Sequence, residues 1–486
     1  YRKNGGLKMS STAQLSARER ITSLLDDNSF VEVGALVTKR TTDFNLQQTE
    51  APADGVITGY GLVNGNLVYI YSQDASSLGG SVGEMHARKI TNLYDLALKV
   101  GAPVIGLLDS TGLRLQEATD ALNAFGEIYK KAALASGVIP QITAVFGNCG
   151  GGLAQLAALS DFCFMEGKQA RLFINSPNAL AGNYKEKNDT AKAAYQSKSG
   201  LVDYVGDSEA DVLNKIRDLL TILPSNNEED SSYDECSDDL NRLLPNFSSE
   251  IADSKKALID ISDNNYFFEI KADYAKEMVT GFIRLNGMTV GAIANRTELT
   301  DDSGKVIERF DGTLTTAGCY KAESFVNFCD AFNIPVLTLT NVNGYKATVE
   351  EEKSIAIAAS KLTYAFSEAT VPKVNIIVGK AYGTAYVTMN SKHIGADLVF
   401  ALPQAQIGMM EPDLAAQIMY EKEAEGVRKE KAAEYAALQS SAEAAAKRGY
   451  VDSIIEPETV RKHAIYSFEM LFTKSESKPY KKHGTV

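Results

Sequence analysis

Tryptophan is absent and histidine nearly so: four histidines and five cysteines occur in 486 residues. None of them stands at metal-ligand spacing, so no metal is expected. The cysteines (Cys149, Cys163, Cys236, Cys319 and Cys329) are odd in number and include no Cys-x-x-Cys pair. That favours reduced thiols and a cytoplasmic location over a disulfide framework. Positive charge is in deficit, 49 Lys and Arg against 62 Asp and Glu, for a formal net charge of −13. A nucleic acid partner would need a basic face. An anionic small molecule is still compatible, because a nest of amides or a few cations can hold one locally. No apolar run reaches the roughly 18 residues that span a bilayer, and no secretory apolar segment opens the chain. Met9 reads as the native start, with residues 1–8 expected to stand outside the fold.

What the chain does contain is a repeat. Residues 102–112 (APVIGLLDSTG) match 334–344 (IPVLTLTNVNG), and 139–151 (IPQITAVFGNCGG) match 371–383 (VPKVNIIVGKAYG). Pro103 falls on Pro335 and Pro140 on Pro372, so both pairs share an offset of 232. Upstream, 58–65 (TGYGLVNG) match 280–287 (TGFIRLNG), placing Thr58 on Thr280 at an offset of 222. Matched segments in one order imply two copies of one domain, each with its own glycine turn. The expected division is 9–224, a linker at 225–250, and 251–486. Residues 225–239 (SNNEEDSSYDECSDD) carry seven acidic residues and no basic one, the composition of an interdomain linker.

In the first copy the pattern predicts a short helix at 16–25, a hairpin at 56–71 turning on Asn64-Gly65, and a helix at 82–100. A strand at 104–108, a helix at 115–136, a strand at 141–146, a glycine turn and a helix at 153–160 follow. The alternation predicts α/β packing. The Ala- and charge-rich stretch 413–447 reads as a surface or packing helix.

Where a strand ends in a glycine run and a helix begins, main-chain N–H groups lack intrahelical partners and can converge on one oxygen. Glycines permit the bend and a close approach, and the product is an oxyanion hole built of main chain. The candidates are Gly150, Gly151 and Gly152 in copy one, and Gly383, Thr384 and Ala385 in copy two. Glycines also serve a bare tight turn. Here, however, each turn has a partner, Ser110-Thr111-Gly112 or Val342-Asn343-Gly344, which favours a ligand. Rival motifs are weaker. Gly79, Ser81 and Gly83 fit the GxSxG pattern of a hydrolase elbow, but His393, His463 and His483 lack a catalytic context. His86 reads as a packed helix residue, and Gly59-Tyr60-Gly61 lacks the third glycine of a dinucleotide fingerprint.

From about Ser16 onward the chain resembles the carboxyltransferase (beta) subunits of biotin-dependent acyl-CoA carboxylases and their decarboxylase relatives. The segments that carry the resemblance are YSQD at 71–74, GGSVGEMH at 79–86, DSTGLRLQE at 109–117 and LASGVIP at 134–140. FCDAFNIP at 328–335, YAFSEAT at 364–370, KAYG at 380–383, SKHIGAD at 391–397, RGYVD at 448–452 and KKHG at 481–484 continue it. The resemblance implies two tandem crotonase-like domains. The first holds an acyl-CoA, with Gly151 and Gly152 on the thioester oxygen and Gly112, Leu113, Arg114 and Gly150 as substrate contacts. The second holds carboxybiotin, with Thr384 and Ala385 on the ureido oxygen, Gly383 beside them, and Val387 at a position tied to acyl selection.

It also implies a homo-oligomer, a dimer or hexamer, with each site built from the first domain of one subunit and the second domain of another. The implied partners are a biotin carrier protein and biotin carboxylase or membrane decarboxylase subunits. The expected reaction is carboxyl transfer between carboxybiotin and an acyl-CoA through enolates. The alternatives are a decarboxylase subunit of a sodium-pumping complex, or a noncatalytic scaffold. Departures from the family pattern are concentrated in copy two. P-G-F-L-P-G is NGYKAT at 343–348, the G-I-I-R-H-G-A-K stretch is SIAIAASK at 354–361, and the double glycine is Gly383-Thr384. In copy one, E-L-G-G-A is missing before Ser199-Gly200. A reshaped biotin pocket is the expected consequence.

Overall fold

The computed structural model describes residues 14–40, 50–229 and 234–479. Residues 1–8 with Met9, positions 230–233 of the acidic stretch, and the KKHG tail with His483 lie outside the described residues. The chain divides into two compact units between Asn227 and Glu228.

The first unit carries β1 (Val31–Glu32), β2 (Val56–Val63), β3 (Asn66–Gln73), β4 (Val104–Ser110), β5 (Gln141–Gly150), β6 (Phe162–Glu166), β7 (Arg171–Phe173) and β8 (Tyr204–Gly206). They form one sheet in the order β1-β2-β3-β4-β5-β6-β8, with β7 pairing to β5. The β2–β3 hairpin is antiparallel and turns at Asn64 and Gly65, both at positive φ, the type I′ geometry that suits strand twist. From β3 to β8 the pairings are parallel, with helices in the crossovers. Helix Glu84–Val100 ends on Gly101 in the left-handed region, where the absent Cβ removes the strain. Its buried face, with Ile90, Leu93 and Ala97, packs into a core shared with Tyr71, Leu108, Ile128, Leu153 and Met165.

The second unit repeats this plan. It contains β9 (Phe268–Ile270), β10 (Met278–Leu285), β11 (Met288–Asn295), β12 (Glu298–Thr300), β13 (Val306–Arg309), β14 (Val336–Asn343), β15 (Lys373–Tyr382), β16 (Leu398–Ala401), β17 (Gln406–Gly408) and β18 (Ser453–Ile454). The sheet order is β9-β10-β11-β14-β15-β16-β18 with β17 on β15, while β12 and β13 pair separately. β10, β11, β14 and β15 thus stand where β2, β3, β4 and β5 stand in the first unit. Its core gathers Val290, Leu337, Ile376, Ala464 and Phe468.

Three elements differ in extent from the sequence pattern. β5 continues through Gly147 to Gly150, because Asn148, Cys149 and Gly150 pair with Arg171, Leu172 and Phe173 of β7. A glycine-rich segment that looks like a turn is held extended by a remote ladder. The stretch 413–447 forms three helices, Pro412–Met419, Glu425–Gln439 and Ala442–Ala446. Within the expected linker 225–250, the Asp234 amide donates to the Gly287 carbonyl, and Leu244 and Phe247 enter the second core. Among the described residues no helix is long and apolar enough to cross a membrane.

Candidate functional site

In both units the parallel ladder bulges at its centre. The register slips between Leu108 and Ser110 in β4 against β5, and between Thr340 and Val342 in β14 against β15. Beyond the bulge each chain bends into a loop tethered by a one-residue bridge. Val82 donates to the Gly112 carbonyl at 2.8 Å and Arg114 to the Val82 carbonyl at 3.0 Å. Leu314 donates to Gly344 at 2.9 Å and Lys346 to Leu314 at 2.8 Å. The bridges Val82–Leu113 and Leu314–Tyr345 share the offset of 232 at both ends. Gly112 and Gly344 have φ of 99° and 80°, a conformation that glycine adopts without strain.

The strand-to-helix turns are repeated in the same way. Gly151 (φ 58°) caps helix Gly152–Leu159, and Gly383 (φ 65°) opens helix Gly383–Thr388. First-turn amides have no intrahelical acceptor. Those of Gly152 and Leu153, and of Thr384 and Ala385, find no acceptor among the described residues, nor do the loop amides of Leu113 and Tyr345. Each unit therefore offers three N–H groups without an acceptor among the described residues, on two neighbouring segments. Such groups can receive an oxygen that gains negative charge, at no cost of reorganisation.

The residues singled out from the sequence fall into two groups. Gly150, Gly151, Gly152, Gly112 and Leu113 lie along this turn and loop, as do Gly383, Thr384 and Ala385 in the second unit. Two of their details were invisible in the sequence. The Gly151 amide is engaged by the Phe173 carbonyl at 2.9 Å, and the Gly112 amide by Ser110 Oγ at 3.1 Å. Arg114 is fully buried. Its guanidinium donates to Asp54, Glu117, Ser81 Oγ and the Ser81 carbonyl, so it braces the loop from inside. Asp54 is raised above the ordinary carboxylate range by burial, which Arg114 partly offsets. Val387 is half-buried on the short second-unit helix.

Ser81, the central residue of GxSxG, receives Arg114 Nε at 3.2 Å. His86 is fully buried, and burial pushes its pKa down to about 3, with Arg114 adding to the shift. His393 stacks edge-on between Tyr386 and Tyr450, and His463 sits on the Thr459 carbonyl at 2.9 Å.

Residues that the sequence did not mark support the turns. Tyr129 donates to the Gly152 carbonyl at 2.7 Å, and the Phe173 ring covers Gly150, where a Cβ would stand 2.8 Å from it. Asp109, held by Arg20 at 3.0 Å, lies against Gly147 so closely that a Cβ there would collide with its carboxylate. Asn341 does the same to Gly379. The offset of 232 already relates both pairs, which was the available signal.

Two tandem crotonase-like units, each with a loop and a glycine turn lined by unpaired amides, define the class of fold and site. The carboxyl transferase domain family matches residues 9–486, and the chain belongs to that family. It is 39% identical to the methylmalonyl-CoA decarboxylase alpha subunit of Propionigenium modestum, over 99% of this chain and 94% of that protein. It is 41% identical to a putative propionyl-CoA carboxylase beta chain of Bacillus subtilis (strain 168), over 97% and 94%. Among solved structures, transcarboxylase 12S, a hexameric multienzyme core with hydrolysed methylmalonyl-coenzyme A bound, is similar with a TM-score of 0.91. That match has 36% identity and covers 97% of this chain and 92% of that one.

Proposed function

We propose that the chain carries out carboxyl transfer between a short acyl-CoA and biotin borne on a carrier protein, with one oxyanion hole in each unit. The amides of Leu113, Gly152 and Leu153 hold the thioester oxygen as the acyl group becomes an enolate. Gly151 shapes that hole through its backbone, and Arg114 holds the loop in place. The amides of Tyr345, Thr384 and Ala385 form the second hole. When bound, biotin supplies the carboxyl group and a ureido oxygen for those donors. The second unit fits that ligand. Its turn keeps the positive-φ glycine at 383 and leaves the Thr384 and Ala385 amides unpaired despite the lost double glycine.

The observation that carries this reading is the coincidence, at one offset of 232, of two bridges, two positive-φ glycine pairs and two sets of unpaired amides. A single such turn would suit a mere bend. Val387 gives the acyl site an apolar wall suited to a methyl branch. The assembly proposed is a dimer or hexamer in which the first unit of one subunit works with the second unit of another. It would operate with a biotin carrier and with biotin carboxylase or membrane decarboxylase subunits.

The test is carboxyl exchange between biotin and malonyl-, methylmalonyl- or glutaconyl-CoA. Exchange is expected, fastest with methylmalonyl-CoA. Binding of acyl-CoA without exchange or biotin binding would establish the scaffold reading instead.

A further inference from the structure

The last β3–β4 pair in register is Ser72 with Leu107, and the last β11–β14 pair is Ala294 with Leu339. Two residues further on, at Asp109 and Asn341, each inner strand bulges and leads into its loop. The bulged residues, Asp109 and Asn341, thereby lose a strand partner for a main-chain amide, buried at Asp109 and half-buried at Asn341. In both units a side-chain amide from the end of the neighbouring strand takes its place. Gln73 Oε1 accepts from the Asp109 amide at 3.1 Å, and Asn295 Oδ1 accepts from the Asn341 amide at 3.0 Å. Gln73 and Asn295 are related by the offset of 222, and Asp109 and Asn341 by that of 232.

Each contact leads directly to a glycine turn. The Asp109 side chain lies against Gly147, the Asn341 side chain lies against Gly379, and Asn341 Oδ1 also accepts the Lys380 amide at 2.9 Å. The same two residues begin the loops that end in Gly112 and Gly344. One hydrogen bond per unit therefore sits at the fork from which both walls of that unit's hole diverge.

The two forks are held differently. In the first unit, His86 Nδ1 lies 2.9 Å from the Asp54 carbonyl. A carbonyl only accepts, so Nδ1 carries the proton and Nε2 is the acceptor. Nε2 lies 3.3 Å from Gln73 Nε2, which turns the Gln73 amide with its nitrogen toward the histidine and its oxygen toward Asp109. In the second unit, the one acceptor that Asn295 Nδ2 meets among the described residues is the Met389 sulfur, at 3.9 Å, a weak acceptor.

We propose that Gln73 and Asn295 are positioning residues, each setting the geometry of its own unit's oxyanion hole, with His86 locking the orientation of Gln73. This rests on the two-hole reading above and adds that the holes are tuned separately. Burial keeps His86 neutral, so its lock holds across the working pH range.

The test uses the full-length oligomer, with the Michaelis constants of acyl-CoA and biotin measured separately and hydrogen exchange followed at the Asp109 and Asn341 amides. Gln73→Met should impair the acyl-CoA side about 10- to 100-fold, as expected for a slight misplacement of donors. It should leave the biotin constant unchanged and speed exchange at Asp109 alone. Asn295→Leu should show the mirror pattern, while Asn295→Asp, which keeps the acceptor oxygen, should restore most of the rate. Should Gln73→Met fail to fold, the His86 pair reads the same link: His86→Gln keeps an acceptor near the Nε2 position and most of the rate, and His86→Phe does not. Unchanged kinetics in Gln73→Met and Asn295→Leu, or equal damage to both ligands in either, overturns the inference. Failure of the unsubstituted protein to exchange carboxyl groups would instead overturn the two-hole reading.

Discussion

At residue 384 a threonine stands where the repeat has Gly152, and its side chain is exposed while its amide sits at the second position of a helix. Proline is tolerated in a first helical turn but has no N–H. Thr384→Pro should therefore remove one donor and little else. The exchange rate is expected to fall about 100- to 1000-fold, the usual loss for one oxyanion donor, with the acyl-CoA dissociation constant nearly unchanged on the same preparation. A parallel loss of acyl-CoA affinity would contradict the division of labour between the turns. Gly151 is a different case. A Cβ there meets nothing within 4 Å, yet φ is 58° with ψ −127°, a region costly to a β-branched residue. Gly151→Val should lose activity and also about 1–3 kcal/mol of stability, seen as a lower denaturation midpoint. An unshifted midpoint would mean that the turn relaxes freely.

Among elements, the helices Glu84–Val100 and Thr316–Ala331 each carry a buried lysine, and Lys89 and Lys321 are again 232 apart. Lys89 Nζ donates to the carbonyls of Ala53 and Val56, and Lys321 Nζ to those of Tyr274 and Ala275. Ala53 and Ala275 are both at positive φ, 52° and 43°. Each lysine thus ties down the tight bend that feeds its hairpin. Burial is the main cause of the lowered pKa values, about 8 for Lys89 and about 7 for Lys321 against an ordinary 10.5. The sign follows from proton uptake. Between about pH 7 and 10.5 the unfolded chain holds a proton at Lys321 that the folded one has released, so this residue makes stability rise with pH, by up to about 1.4 kcal/mol per unit. The cost of burying the ammonium is fully present below pH 7 and is relieved above it. The melting temperature of the unsubstituted protein minus that of Lys321→Met should therefore increase from pH 7 to pH 10. A constant difference would show that Lys321 keeps its proton throughout that range.

For the whole molecule, the proposed pairing of unlike units from different subunits is open to complementation. A copy disabled in the first hole, such as Gly151→Val, and one disabled in the second, such as Thr384→Pro, should each be inactive alone. In randomly mixed dimers half the assemblies are heterodimers, and one of their two sites is intact. Co-expression should then restore about one quarter of the activity. Recovery would be absent if each site were built within a single chain, and light scattering that showed an active monomer would exclude the shared site.

Much of this was legible in the amino-acid order, because repetition is a property of sequence. The matched segments located both units, the alternation of strands and helices, and the four glycines at 112, 344, 151 and 383 that now stand at positive φ. What the order of residues left undecided is which amides are unpaired. A backbone N–H has no residue type, and its partner arrives from elsewhere in the chain. β7 engages Gly151 and leaves Gly152. Ser81, Asp54 and Glu117 enclose Arg114, so a cation that reads as a substrate ligand becomes an internal brace. Gln73 and Asn295 gain meaning only where two strands part and a main-chain amide is left to be satisfied. The order of residues thus carries a duplicated α/β chain with two glycine turns. Only folding settled which donors are left without an acceptor, because hydrogen-bond satisfaction depends on segments brought together in the tertiary structure.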